Sequence, residues 1–275
     1  MYEKKMKDAA QYSDDFARYV MFPLAMGAYS SDPQKCITSG SQGKLKRFVE
    51  AKCDETKNDT CAGYTAVSDS MKAIILSFRG TDGDMQLALE LLESFRKMIP
   101  FNGGGADYYF YNGFISVWYG GMKDDFLTLR QQNPDYEIWI TGHSLGAAIA
   151  AIASDYLAIH YQPNMDKFKV ITFGEPRVGN QSYAISHDQQ FIHSFRVVHN
   201  RDLVTQLPLQ DMGYHHHGIE VFYPNKMAVN DTYKICVQQE DKNCQDGQLD
   251  IWNPDHNAYF DTKFHDYIDA GCPRS

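Results

Sequence analysis

An α/β architecture, with a central, mostly parallel sheet flanked by helices, is what this chain encodes, and three observations point to it. Short apolar runs rich in β-branched and aromatic residues recur at Ala73–Arg79, Tyr136–Thr141 and Phe195–Asn200, each at strand length. The middle run leads through Gly142-His143-Ser144-Leu145-Gly146 into the strong helix former Ala147–Ala153, so strand, tight turn and helix follow directly. With 275 residues, 43% of them hydrophobic, the chain supports one large core. No linker, low-complexity run or internal repeat divides it, so residues 1–275 read as one domain.

Taken in order, the Ala73–Arg79 strand ends in Gly80-Thr81-Asp82-Gly83. Met85–Ile99 then reads as an amphipathic helix, with Ala88, Leu91, Leu92, Phe95, Met98 and Ile99 at i, i+3, i+4 spacing. Asp84, Glu90, Glu93 and Lys97 supply its polar positions, while Leu87 and Leu89 widen the apolar face. Gly83 on one side, and Pro100, Gly103, Gly104 and Gly105 on the other, are hinge candidates. Pattern alone fits a core-packed helix as well as a movable cover.

The turn at Gly142–Gly146 fits G-x-S-x-G, and its strand–helix context makes it the nucleophile elbow of an α/β-hydrolase fold. The glycines permit the sharp turn and the close approach of strand and helix. The turn lifts the Ser144 hydroxyl off the sheet edge, above a helix N-terminus whose N–H groups suit a developing oxyanion.

A serine hydroxyl needs a base to become a nucleophile, and the base needs an orienting carboxylate. In this fold they follow the serine as Asp or Glu, then His. Asp202 is the favoured acid because it sits at the C-terminal end of the Phe195–Asn200 strand, where active-site groups of parallel sheets gather. Its rivals are Asp188, in a polar helix-like stretch, and Asp211, in a loop after Leu207-Pro208. For the base, His256 lies between the turn signal Asn253-Pro254 and the aromatics Tyr259 and Phe260, and is favoured over His265 on a terminal helix. His199 is on the Asp202 strand and reads as a neighbour of the site. Backbone N–H groups of Thr81 and Leu145 are the expected oxyanion donors. His215-His216-His217 has no Cys or carboxylate at ligand spacing, and adjacent strand residues point apart. No metal and no cofactor is expected.

These ordered motifs resemble the class 3 lipases, the group of the filamentous-fungal triacylglycerol lipases, over nearly the whole chain. Phe78-Arg79-Gly80-Thr81 resembles the family's oxyanion strand end, and Thr141–Gly146 its elbow. Phe173–Asn180 resembles the loop after the next strand, Val198–Pro208 the aspartate segment, and Asp255–Phe260 the histidine segment. Tyr214-x-His216-x-Gly218-x-Glu220 through Tyr223 resembles a structural hairpin. The resemblance implies the same roles for Ser144, Asp202, His256, Thr81 and Leu145, and a lid at about residues 82–100 that opens on lipid. Ala147 stands where a second Gly is common, and Phe222 where Trp is more usual. A secreted triacylglycerol lipase acting at an oil–water or membrane interface is the leading expectation. Phospholipase A1 or an esterase on soluble esters, and a catalytically silent lipid-binding protein, are the alternatives.

Six cysteines allow 15 pairings. Cys53 with Cys61 and Cys236 with Cys244 are short spacings with polar residues between, leaving Cys36 with Cys272, and the resemblance implies the same scheme. Disulfides and the sequons at Asn58, Asn180 and Asn230 suit a secreted glycoprotein. Met1-Tyr2-Glu3-Lys4-Lys5 opens no visible signal peptide and reads as a mature start. The net charge of −9 argues against nucleic acid as a partner and against strong attraction to anionic membranes. No stretch approaches the ~20 apolar residues of a membrane span, and a monomer is expected.

Overall fold

The computed structural model describes residues 11–53, 60–81, 97–191, 193–245 and 254–274. Its main sheet has eight strands. These are β1 (Lys44–Lys52), β2 (Thr60–Ser68), β3 (Ala73–Phe78), β4 (Glu137–His143), β5 (Phe168–Phe173), β6 (His193–His199), β7 (Ile219–Tyr223) and β8 (Lys234–Cys236). Their order in space follows their order in the chain. Strands β3 to β7 pair in parallel, while β1–β2, β2–β3 and β7–β8 are antiparallel.

Seven helices position the site: α1 (Phe22–Gly27), α2 (Pro33–Ser41), α3 (Tyr108–Val117), α4 (Lys123–Gln132), α5 (Leu145–Tyr161), α6 (Gln181–Gln190) and α7 (Phe264–Asp269). They cover both faces of the sheet, and the strand side chains alternate between two cores. Ile74, Leu76 and Phe78 of β3, with Ile138 and Ile140 of β4, face Phe110 and Phe114 of α3 and Ile149 of α5. Ile75, Trp139, Ile171 and Phe173 face the other way, toward Phe22 and Leu24 of α1 and Phe264 of α7. Alternation with period two puts successive side chains on opposite faces. Since both faces are covered, most positions are apolar and the few polar ones, such as Ser77, Thr141 and Thr172, are buried with hydrogen bonds, which is why the strands read as near-continuous hydrophobic runs. Helix α5 is buried from Leu145 to Leu157, and its alanines let it lie close on the sheet.

Two expectations need correction. The helix read over Met85–Ile99 does not reach its predicted end. Met98–Phe101 is a strand, paired antiparallel with Gly104–Asp107 from Met98↔Asp107 to Phe101↔Gly104. Pro100 and Gly103–Gly105 are therefore hairpin residues, not hinges. Asn102 and Gly103 both have positive φ (46° and 74°), the backbone of a two-residue hairpin turn, and the Asn-Gly pair that signals such a turn is present in the sequence. Residues 82–96, the rest of the candidate lid, lie outside the described residues. Tyr214–Tyr223 is also not a hairpin. Tyr214–His215 pairs with Gly179–Asn180 in a small four-stranded sheet, whereas β7 runs parallel to β6 in the main sheet. Gly218, at φ 71°, turns the chain between them.

All six cysteines are paired. Cys36 on α2 joins Cys272, Cys53 joins Cys61 across β1 and β2, and Cys236 joins Cys244.

Candidate active site

Ser144 follows β4 directly and caps α5, with φ 59° and ψ −130°. A positive φ is costly for a residue with a Cβ and persists only when its surroundings impose it. Here they do. A Cβ on Gly142 would stand 2.2 Å from the Gly146 carbonyl oxygen, and one on Gly146 would stand 2.2 Å from the Phe78 carbonyl oxygen. Only glycine at both positions lets β4 double back into α5 beside the end of β3. The Ser144 N–H donates to the Phe173 carbonyl at 3.0 Å, tying the elbow to β5. The Ser144 carbonyl accepts from the Ala147 and Ala148 N–H groups, so the Leu145 N–H lies ahead of the helical ladder. Thr81 is half-buried just beyond β3, after Gly80. The methyl of Ala147, where a second glycine was the more usual residue, is fully buried.

Asp202 stands just past β6 and is fully buried. Its carboxylate is held from several sides. The Val204 N–H donates to Oδ1 at 3.0 Å, the Tyr259 hydroxyl donates to Oδ2 at 2.7 Å, and His256 Nδ1 is 2.9 Å from both oxygens. Burial, followed by the charge of Asp202, pushes the Tyr259 hydroxyl well above its ordinary range, so Tyr259 stays a donor. His256 sits in the short 3₁₀ turn Pro254–Asn257. That turn is pinned to the end of β6, where Asn200 Nδ2 and the Arg201 N–H donate to the Asp255 carboxylate at 2.9 and 3.2 Å, and His199 Nδ1 lies 3.1 Å from the Asp255 carbonyl. The nitrogen of His256 remote from Asp202, Nε2, is buried and has no hydrogen-bond partner among the described residues. Gly174, at φ 59°, backs against the pair, and a Cβ there would stand 2.9 Å from both Asp202 Oδ2 and His256 Cε1.

The rival residues go elsewhere. Asp188 accepts from the Gly218 N–H and from Gln239, Asp211 is exposed in a 3₁₀ turn, and His265 is exposed on α7. The three consecutive histidines diverge. His216 Nε2 meets the Thr205 carbonyl at 2.7 Å, His217 Nε2 lies 3.2 Å from Glu175, and His215 is in the small sheet. Sequence reasoning passed over Tyr259, His143 and Gly174. His143 is next to Ser144, Tyr259 is three positions after His256 and Gly174 lies in the Phe173–Asn180 segment, yet only the fold shows what each touches.

Comparison with known proteins places these residues in context. The family model for lipase (class 3) matches residues 75–212. A lipase of Caenorhabditis elegans is 33% identical, covering 97% of this chain and 84% of the relative. The chain belongs to the class 3 lipases. The secreted mono- and diacylglycerol lipase A of Penicillium cyclopium is 34% identical over 64% of this chain and 57% of its own length, so the match spans little more than half of that fungal protein. Among solved structures, the lipase of Rhizopus microsporus var. chinensis superposes with a TM-score of 0.72 at 27% identity, covering 90% of this chain and 87% of the other. The lipase described here is accordingly a carboxylic ester hydrolase on an α/β-hydrolase scaffold. Among its described residues no helix is long and apolar enough to cross a membrane.

Proposed function

We propose that this class 3 lipase hydrolyses acylglycerol esters through Ser144, His256 and Asp202, with Thr81 and Leu145 as oxyanion donors, as a secreted, monomeric, single-domain enzyme. One observation carries the reading: His256 is locked to a fully buried Asp202 through Nδ1 while Nε2 has no partner among the described residues, and its ring packs 4.5 Å from that of His143, the neighbour of a serine held at positive φ. A buried polar atom left unpaired has a cost, and here the atom is the one that base catalysis requires.

On this reading Ser144 Oγ attacks the ester carbonyl carbon as His256 Nε2 takes the hydroxyl proton. The carbonyl oxygen becomes an oxyanion that accepts from the Leu145 and Thr81 N–H groups. When the tetrahedral intermediate collapses, the C–O bond to the alcohol breaks and His256 returns the proton to the departing oxygen. Water then attacks the acyl-enzyme by the same route and frees the fatty acid and Ser144. Asp202 holds the imidazole in the tautomer that leaves Nε2 free and stabilises the cation formed at each attack.

The acylglycerol class is supported by family membership and by the activity in the Penicillium relative's name. Triacylglycerol is the first substrate to test and partial acylglycerols the second. Secretion is supported by three disulfides, with Asn58 and Asn230 as the glycosylation candidates. Asn230 is exposed, whereas Asn180 is half-buried and spends its side-chain oxygen on the N–H groups of Gly105 and Tyr183. Interfacial activation is supported by the apolar periodicity of the sequence between Thr81 and Lys97.

The test is the initial rate on a short-chain triglyceride, scanned through its solubility limit, with Ser144→Ala alongside. A rate that jumps when droplets form, and a variant whose kcat is about 10⁶-fold lower, are the expected results. An active Ser144→Ala overturns the nucleophile. Smooth saturation below the limit keeps the chemistry and replaces the interface with a soluble ester.

A further inference from the structure

His143, the residue before the nucleophile, has no place in the steps above, yet it lies against the ring that performs them. It is 2% exposed. Its ring centroid is 4.5 Å from that of His256 at an interplanar angle of 35°, and on another side Phe264 meets it edge-on at 4.2 Å. His143 Nε2 is 2.9 Å from the His256 main-chain carbonyl oxygen. A carbonyl can only accept, so Nε2 carries the hydrogen. In the neutral ring Nδ1 is then a lone pair, and the Tyr29 hydroxyl 2.8 Å away donates to it. The carbonyl end thus dictates the tautomer of His143, and the Tyr29 hydroxyl, which also lies 3.3 Å from the His143 carbonyl oxygen, complements it as a donor.

Tyr29 also reaches the other half of the site. A Cβ on Gly80, at the oxyanion strand end, would stand 2.0 Å from the Tyr29 hydroxyl, 2.6 Å from the His143 carbonyl oxygen and 3.0 Å from Ser144 Cβ. The hydroxyl therefore lies where the oxyanion segment, the elbow and the His143 ring meet.

We propose that His143 and Tyr29 are positioning residues for ester hydrolysis: His143 floors the His256 ring and tethers its backbone, and Tyr29 holds the His143 ring in the orientation that makes the tether. The proposal rests on the triad reading above. The pair acts through His256 and touches no reacting atom. Asp202 restrains His256 at Nδ1 alone, so rotation about that contact would swing Nε2 away from the serine. A ring packed at 4.5 Å and a second bond to the same residue's carbonyl remove that freedom. The titratable groups facing His143 are Tyr29 after α1, His256 in the 3₁₀ turn and Tyr259 beyond it. Burial, reinforced by the charge His256 acquires, holds His143 well below the usual imidazole range. It therefore stays neutral and does not compete for the proton that His256 carries.

The experiment compares His143→Phe, His143→Gln and Tyr29→Phe with the parent and with Ser144→Ala, on a soluble p-nitrophenyl ester below its solubility limit. Melting temperatures are taken by circular dichroism. Phe keeps a ring under His256 but has no donor, and Gln places an amide N–H near the position of Nε2. His143→Phe should lose about 10²-fold in kcat, the scale of a small misplacement of a reacting group, with KM unchanged. His143→Gln should recover at least about tenfold of that. Tyr29→Phe should lose about fivefold, as for one neutral hydrogen bond. Parental kcat in His143→Phe overturns the proposal, as does a Gln variant no better than Phe, or losses of kcat that merely follow losses of melting temperature. Full activity in Ser144→Ala would instead bring down the triad reading itself.

Discussion

Gly174→Ala tests how tightly the acid–base pair is held. Gly174 follows β5 at φ 59°, where an L-residue costs roughly 1–2 kcal/mol. The added methyl carbon would stand 2.9 Å from Asp202 Oδ2, 2.9 Å from His256 Cε1 and 3.0 Å from His256 Nδ1. Ordinary contact begins near 3.4 Å, so the neighbours must retreat by about half an ångström. Asp202 cannot give way easily, since the Val204 N–H and the Tyr259 hydroxyl hold both its oxygens. His256 is therefore the group that moves, and it rotates away from the serine. Overpacking of this kind costs about 1–3 kcal/mol in stability. A misplacement near 1 Å costs about 10²-fold in rate, so half of that predicts a kcat about 10-fold lower with KM unchanged. The assay is kcat and KM on a soluble ester, with denaturant unfolding to show that the variant is folded under assay conditions. A folded Gly174→Ala with parental kcat refutes the claim that His256 is positioned by this contact.

Tyr259→Phe keeps the ring and removes the donor to a buried carboxylate, a bond worth about 1.5–3 kcal/mol; kcat should fall about tenfold or more at constant KM in the same assay. Glu175 is fully buried, and burial, opposed chiefly by Arg196 and then by Thr172, pushes its carboxyl up from 4.5 to about 7. Below pH 4.5 both folded and unfolded chains hold this proton, between 4.5 and 7 only the folded chain does, and above 7 neither does. Stability therefore declines as pH rises from 4.5 to 7, by about 3 kcal/mol for this shift, and urea unfolding at pH 5 and pH 8 should show that decline shrinking in Glu175→Gln. A serine-reactive phosphonate should add once per chain, with the adduct lost in Ser144→Ala and retained in Ser194→Ala by mass spectrometry.

What the sequence made legible was whatever a local pattern records. The elbow is one local pattern, because strand, glycine turn and alanine-rich helix are contiguous and each has its own signature. Parallel strands buried on both faces are another, since they have no polar side to hide. The hairpin at Met98–Asp107 was misread because Met98 and Ile99 continue the 3.6-residue period of the preceding residues, whereas the Asn102-Gly103 turn that ends the pattern comes after them. Beyond the expected partnership with Asp202, the contacts around His256 were not legible. Asp202 and Tyr259 are 57 residues apart in the chain and Tyr29 and His143 are 114 apart. Nothing in either segment alone records that its partner exists.

A second Ser–His–Asp set inside the same molecule shows how little connectivity alone decides. Ser194 Oγ lies 2.8 Å from His187 Nε2, and His187 Nδ1 lies 3.0 Å from Asp155 Oδ1. These bonds are those of a triad, and they are more complete than those around His256, whose Nε2 has no partner among the described residues. Yet Ser194 is a regular residue of β6, and His187 is fully buried, stacked on Phe191 at 4.3 Å and packed on His217 at 4.0 Å. No turn lifts Ser194 from the strand and no helix begins behind it. Its hydroxyl satisfies a buried imidazole, which is the common fate of polar groups in a core. Ser144 differs in its backbone: positive φ, a helix N-terminus behind it, and glycines that bring two strand ends against it. On the function proposed above, that backbone separates the two sets better than any unpaired atom does, since His216 Nδ1 is also a buried imidazole nitrogen with no hydrogen-bond partner among the described residues.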